Sequence, residues 1–155
     1  MKRLIRVLAF TAVFAGITSS AFAQTFHLVN AGSGLCLDGF EANDGSSVHY
    51  PYTYTCSSQN TYQQWLETKT NVGTMYCNYQ TGHCLVFASD RFQSPYLGVF
   101  DPSPPYEQWS YNQRLNNIYT GLCLDGYNNG TLGSRVYMDI CDSGDGYQTW
   151  VKSFP

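Results

Sequence analysis

Positive charge is scarce in this chain. From Gln24 onward it carries five Lys/Arg against eleven Asp/Glu, a formal net charge of −6. Five scattered cations make no phosphate-binding stripe, which argues against a nucleic-acid partner. Anionic membrane surfaces are disfavoured for the same reason. Histidine is sparse too. His27, His49 and His83 do not sit at zinc-ligand spacing from any cysteine, and no Cys-x-x-Cys pair exists, so no metal site is expected. No His-Glu-x-x-His, Gly-x-Ser-x-Gly or phosphate-loop motif supplies a catalytic set. The eleven carboxylates could in principle hold a glycosidase pair. Most, however, fall in Gly/Asn-rich stretches where solvation or turn formation accounts for them. The expectation is a non-enzyme without a cofactor. Helical periodicity is also missing: after residue 23 no segment carries apolar residues at helical spacing.

The one notable apolar run lies at the start. Lys2, Arg3 and Arg6 precede the stretch Val7 to Ile17, and Ala21-Phe22-Ala23 has the small-x-small pattern of a cleavage site. The run is too short for a comfortable membrane span. Residues 1–23 are therefore expected to be a cleaved signal peptide, giving a secreted or periplasmic protein with no membrane insertion. Residues 24–155 are enough for one domain with its own core.

What is abundant is repetition. Three units open on a Cys-Leu dipeptide: Cys36-Leu37-Asp38-Gly39, Cys84-Leu85-Val86-Phe87 and Cys123-Leu124-Asp125-Gly126. They close on Gln63-Gln64-Trp65, Glu107-Gln108-Trp109 and Gln148-Thr149-Trp150. Successive tryptophans lie 44 and 41 residues apart, a periodicity that sets the architecture before any local reading does. The units run from about Phe26 to Lys69, Thr74 to Tyr111 and Arg114 to Phe154. Each has an asparagine six residues before its first motif cysteine (Asn30, Asn78, Asn117), followed by Gly34, Gly82 or Gly121. That reads as strand, glycine turn, strand. Polar loops follow, such as Glu41 to Ser47 or Tyr127 to Ser134. Tyrosine-rich strands come next, Val48 to Thr55 or Val136 to Ile140, and then the Trp strand. Tyr, Val, Thr and Trp suit pleated, half-buried positions. The chain is expected to be all-β, with about four short strands per unit.

Superposing the units assigns the cysteines. Six cysteines in an exported chain read as disulfides. Cys56 and Cys141 each stand nine residues before their tryptophan, so Cys36–Cys56 and Cys123–Cys141 are expected within units one and three. In unit two Phe100 occupies that position, and Cys84 is expected to pair with Cys77 across the turn.

A three-unit all-β chain with these openings and Gln-x-Trp closings resembles the ricin B-type lectins, which are β-trefoils. The resemblance covers essentially all of residues 24–155. Unit three resembles the actinohivin-type members in particular, through Cys123-Leu124-Asp125, Asn129-Gly130, Val136-Tyr137 and Tyr147-Gln148-Thr149-Trp150. The resemblance implies three pseudo-symmetric four-stranded units, with six strands in a short barrel and three hairpins capping one end. It also implies that Trp65, Trp109 and Trp150 meet near the pseudo-threefold axis as core, and that glycans are the partners.

A sugar site needs a hydroxyl acceptor, an amide or hydroxyl partner, and an aromatic face. A fixed carboxylate is a strong acceptor, and tyrosine combines an apolar face with a polar tip. The expected carbohydrate-binding sets are Asp38, Tyr52, Tyr62 and Gln63 in unit one, and Asp125, Tyr137, Tyr147 and Gln148 in unit three. Unit one has a longer loop from Gly45 to Cys56, which blurs the register of its tyrosine. In unit three Asp139 stands where the family usually has an apolar or aromatic residue. Unit two has Val86 for the aspartate and Glu107 for the glutamine, and is expected not to bind. Asp followed by Gly is also a common turn signal, but unit two turns with Val86-Phe87, which favours a binding role for the aspartates. A second reading makes the chain a non-catalytic adhesion or delivery subunit of a secreted multi-chain toxin, acting mainly through protein–protein contacts with a separate secreted protein chain. Its contact surface would be the Tyr/Phe-rich segments Phe87 to Tyr96 and Phe100 to Tyr106. Protease inhibition, used by other trefoil families, ranks lower because those lack the Gln-x-Trp repeat.

Overall fold

A computed structural model describes residues 24–40, 48–87, 94–127 and 131–154. The leader expected over residues 1–23, the loop Glu41 to Ser47 and the pair Asn129-Gly130 lie outside the described residues.

Each repeat folds into four strands. Unit one has β1 (His27–Asn30), β2 (Cys36–Asp38), β3 (Tyr52–Tyr54) and β4 (Trp65–Lys69). Unit two has β5 (Thr74–Asn78), β6 (Cys84–Val86), β7 (Tyr96–Gly98) and β8 (Trp109–Tyr111). Unit three has β9 (Leu115–Asn117), β10 (Cys123–Asp125), β11 (Tyr137–Asp139) and β12 (Trp150–Ser153). Before each Trp strand the chain makes one 3-10 turn: Thr61–Gln63, Pro105–Glu107 and Gly146–Gln148. Those turns carry no helical periodicity in sequence because one turn is too short to show any.

Six strands close a barrel. β1 pairs with β12, β4 with β5, β5 with β8 and β8 with β9. Phe26 bridges Trp65, and the Trp150 N–H donates to the Gln113 carbonyl at 2.8 Å. The hairpins β2–β3, β6–β7 and β10–β11 stand outside this ring. The all-β units read from the repeat, and the trefoil that the family resemblance implies, are the fold observed.

The Cys-Leu and Trp signatures are one contact repeated three times. Trp65, Trp109 and Trp150 are each 0% exposed. Their indole Nε1 groups donate to the carbonyls of Leu37, Leu85 and Leu124 at 3.0, 3.0 and 2.9 Å. Burying an indole gains a large apolar area only if its N–H finds a partner. The leucine carbonyl at the hairpin base provides one.

The asparagines lock each unit to the one before it. The Nδ2 groups of Asn30, Asn78 and Asn117 donate to the carbonyls of Tyr147, Tyr62 and Tyr106. Their Oδ1 atoms accept from backbone N–H groups in their own turns: Ser33, Gln80 and Thr81, and Thr120. Each turn ends on a glycine with φ of 71°, 73° or 72°, a conformation that disfavours any residue with a Cβ.

One departure from symmetry was visible in the sequence only as a longer loop. The strand read over Val48 to Thr55 is regular only at β3. Upstream, the chain crosses to the other two hairpins. His49 bridges Leu97 of β7, and Tyr52 bridges Arg135 beside β11. The Val136 N–H donates to the Pro51 carbonyl and the Thr53 N–H to the Ser134 carbonyl. The Arg135 guanidinium stacks 4.1 Å from the Tyr50 ring centre, a cation–π contact. Backbone pairing with other units shortens β3 and straps the three hairpins together.

The disulfides are Cys36–Cys56, Cys77–Cys84 and Cys123–Cys141, and no free thiol remains. Closing loops of 20 and 18 residues stabilises each by about 3 kcal/mol in the chain-entropy account. Replacing Cys123 and Cys141 by Ser together is expected to cost about that much in denaturant unfolding. A cost near zero would show that the barrel alone holds the hairpin.

The toxin-subunit reading relied on an exposed segment from Phe87 to Tyr96. Phe87 is instead 3% exposed and belongs to the main core cluster. It stands where the other units have glycine, and its ring turns inward. Residues 88–93 lie outside the described residues. Val99 and Phe100 are exposed.

Candidate functional site

The hairpins place the expected residues together. Asp38 is the register partner of Tyr52 across β2–β3, as Asp125 is of Tyr137 across β10–β11. The 3-10 turns bring the second half of each set. The Gly39 N–H donates to the Tyr62 carbonyl and the Gly126 N–H to the Tyr147 carbonyl, both at 2.9 Å. This pins the turn beside the hairpin base.

In unit one Asp38 is only 1% exposed, and its carboxylate is the centre of a network. Oδ1 accepts from the Phe40 N–H at 2.9 Å. Oδ2 accepts from Asn60 Nδ2 at 2.8 Å and Gln63 Nε2 at 3.0 Å. The Tyr52 hydroxyl hydrogen-bonds the same carboxylate. Burial, then the Asp38 charge, hold that phenol well above its ordinary range, so it stays a protonated donor. Gln63 completes the frame. Its Nε2 also donates to the Thr55 carbonyl and its Oε1 accepts from the Ser57 N–H. Above this floor, the Phe40 and Tyr62 rings meet edge to face at 5.0 Å, and those of Tyr52 and Tyr54 at 6.3 Å.

Unit three repeats the frame. Asp125 is 2% exposed and accepts from the Tyr127 N–H at 2.8 Å. Gln148 and Tyr137 also hydrogen-bond it. Gln148 Oε1 accepts from the Asp142 N–H, and its Nε2 donates to the Ile140 carbonyl. The Tyr127 and Tyr147 rings meet edge to face at 4.9 Å. Burial raises the Asp125 carboxyl above its usual range, the three hydrogen bonds pull it back, and the Asp145 charge raises it further. Burial and the nearby carboxylates push the Tyr137 phenol up to about 12.

The glycine after each aspartate is a matter of space. A Cβ on Gly39 would lie 2.8 Å from Asn78 Nδ2, and one on Gly126 2.7 Å from Asn30 Nδ2. Neither glycine is among those with positive φ, which are Gly34, Gly82, Gly121 and Gly133. The Asp-Gly pair therefore reflects close packing on the neighbouring unit, not a left-handed turn.

Unit two keeps the outline with different chemistry. Val86 is buried opposite Tyr96. Glu107, 4% exposed, takes the glutamine's place and accepts from the Asp101 N–H at 3.2 Å. Burial chiefly raises its carboxyl pKa, against that hydrogen bond. The folded state thus holds the Glu107 proton more tightly than the unfolded chain does. Its contribution to stability is favourable in acid and is lost as pH rises through the folded pKa. Glu107→Gln is expected to melt higher than wild type near pH 7, with the gap closing below about pH 5. Equal melting curves at both pH values would show the carboxylate to be well solvated.

Two pairs of participants escaped the sequence reading. Asn60 and Asp145 cap the 3-10 turns, accepting from the N–H groups of Tyr62 and Tyr147 at 3.0 and 2.7 Å. Both also face the central carboxylate. Their signal was an Asx residue two positions before each Tyr-Gln pair, a recognised turn-capping position. Phe40 and Tyr127 are the other omission, each two residues after its aspartate. Among the described residues no cluster of His, Cys, Asp and Glu could hold a metal ion.

The sequence model of the family described as "Ricin-type beta-trefoil lectin domain" matches residues 24–150. No curated protein matches the chain. Among solved structures, the designed three-fold symmetric protein ThreeFoil is 21% identical with a TM-score of 0.69, covering 83% of this chain and 97% of its own. A ricin B-like lectin of Macrolepiota procera, solved with lactose, is 21% identical with a TM-score of 0.68, covering 89% and 100%. The C-half of an earthworm R-type lectin, solved with GalNAc, is 14% identical with a TM-score of 0.66, covering 85% and 99%.

Proposed function

The chain belongs to the ricin-type β-trefoil lectin family, and from that premise we propose that it is a secreted, non-catalytic protein binding glycans at shallow sites in units one and three. The observation that carries the reading is the duplicated cluster. Asp38, Tyr52, Tyr62 and Gln63 are arranged as Asp125, Tyr137, Tyr147 and Gln148 are, and unit two has neither its aspartate nor its glutamine.

A structural role alone does not require this conservation of chemistry between two units. Unit two folds the same hairpin over Val86. In the binding units, the buried carboxylate orients the tyrosine hydroxyl and the glutamine amide. The tyrosine rings then pack against the C–H face of the sugar while their hydroxyls meet its oxygens. The carboxylate accepts a sugar hydroxyl where its lone pairs allow. Binding is reversible and needs no metal. Each shallow site is weak by itself, and two on one chain gain by avidity on a multivalent glycan. The three disulfides suit an oxidising compartment and accord with export directed by residues 1–23.

The test is a glycan array probed with the mature domain, Gln24 to Pro155, with melting curves to verify its fold. Retention on one or more sugar classes, released by the free sugar, supports the reading. A folded domain that binds none overturns it.

A further inference from the structure

We infer that the two sites divide their ligands, with unit three taking hexose units that bear a free, protonated amine and unit one taking neutral sugars. The inference rests on the lectin reading and adds the ligand class of each site.

The frames match, so the differences stand out. At the turn cap, Asn60 in unit one corresponds to Asp145 in unit three. Asn60 caps with its oxygen and gives its amide to Asp38 Oδ2 at 2.8 Å. Asp145 caps in the same way but has no hydrogen to give. Among the described residues, one lone pair of Asp125 is thereby left without a donor, and a second carboxylate acts on it. Two residues along the outer strand, Tyr54 corresponds to Asp139. Both follow their binding tyrosine on the same side of the strand, since alternate residues share a face. In unit one that neighbour is a ring, 6.3 Å from Tyr52. In unit three it is a carboxylate, with its Oδ1 bonded to the Ile140 N–H at 2.7 Å.

Tyr137 therefore stands among three carboxylates, Asp125, Asp139 and Asp145, each acting on its hydroxyl. Among the described residues, Asp38 is the one carboxylate that acts on Tyr52. Among the described residues, the nearby cations Arg114 and Arg135 are engaged elsewhere. Arg114 donates to the carbonyls of Asp142 and Ser143, and Arg135 stacks on Tyr50. The frame of Asp125, Tyr137, Tyr147 and Gln148 makes the site. The added carboxylates decide what fits it. A neutral hydroxyl donates one hydrogen and leaves the like charges of Asp125 and Asp145 opposed. An ammonium group donates three, satisfies both carboxylates and cancels charge, and such charge-assisted bonds are the stronger kind. Among its described residues unit one, with Asp38 already saturated and aromatic walls, offers no such gain.

Matched pairs on an array test this: glucosamine and N-acetylglucosamine, galactosamine and N-acetylgalactosamine, with glucose and galactose. The protein is wild type, Asp145→Asn, and Asp139→Tyr/Asp145→Asn, each checked by thermal melting. Wild type is expected to bind at least one free-amine member about tenfold tighter than its acetylated partner in low salt. The preference should shrink as salt screens the charges. Asp145→Asn should remove most of it while neutral-sugar binding persists. Neutral binding with no amine preference in wild type, or a preference that survives the double variant, overturns the assignment and leaves the lectin reading intact. Binding of no sugar by folded protein overturns both.

Discussion

Trp150→Ala is expected to destabilise the domain by about 3–5 kcal/mol, the range for removing a fully buried large aromatic. In a domain of this size that lowers the melting temperature by on the order of 10–20 °C. Two losses combine. The indole is 0% exposed, so its removal opens a cavity between barrel and hairpin. The Leu124 carbonyl also loses the Nε1 donor that met it at 2.9 Å. Trp150→Phe separates the terms, because it keeps most of the volume and loses only the hydrogen bond. It should cost about 1–3 kcal/mol, as an unsatisfied buried acceptor does. Pseudo-symmetry extends the expectation to Trp65 and Trp109, whose indoles meet Leu37 and Leu85 in the same geometry. If any of the three alanine variants melts within a degree or two of wild type, that tryptophan is not part of a shared core.

Asp38→Asn combined with Asp125→Asn is expected to abolish retention on a multivalent glycan surface. At position 125 the variant loses a hydrogen bond from the sugar to a charged acceptor, worth about 1.5–3 kcal/mol or roughly tenfold to a hundredfold. At position 38, where the carboxylate is already saturated, it loses the acceptor that orients the Tyr52 hydroxyl and the Gln63 amide. Losing both sites also forfeits avidity, which multiplies the effect by about 10²–10⁴. Stability should separate the single variants. An amide at position 38 points hydrogens at Asn60 Nδ2 and Gln63 Nε2, both already donors. At position 125 the cap is Asp145, an acceptor that can take one of those hydrogens. Asp125→Asn should therefore melt closer to wild type than Asp38→Asn. The role assigned to these aspartates fails if the folded double variant still binds like wild type.

Much of this was legible in one dimension because the same tertiary contact recurs. A Cys-Leu pair, a glycine turn and a closing tryptophan each recur three times, so their spacing carried the three all-β units, and the family resemblance built on them carried the trefoil. The disulfides were legible for the same reason, since Cys56 and Cys141 keep one distance from their tryptophans and Phe100 breaks the pattern. The aspartates, tyrosines and glutamines of the sites were readable as residue types in register. Asn30, Asn78 and Asn117 were readable only as part of a hairpin. Their function as inter-unit clasps joins residues as far apart as Asn30 and Tyr147, which no local window contains.

Sequence alone determined the number of units, the all-β class, the cysteine pairing and which units keep the polar set, because each depends on residues repeated at fixed offsets. Tertiary structure alone decided where the long segment before β3 goes, since its partners Leu97 and Arg135 belong to the other two units. It turned Phe87 inward and made Gly39 and Gly126 a matter of space beside a neighbouring asparagine. It also made the two candidate sites unequal. Whether a carboxylate has a lone pair to offer depends on every donor within about 3 Å of it; Asn60 reaches Asp38 at 2.8 Å, and Asp145 brings Asp125 a charge instead of a donor, only when the chain has folded back on itself.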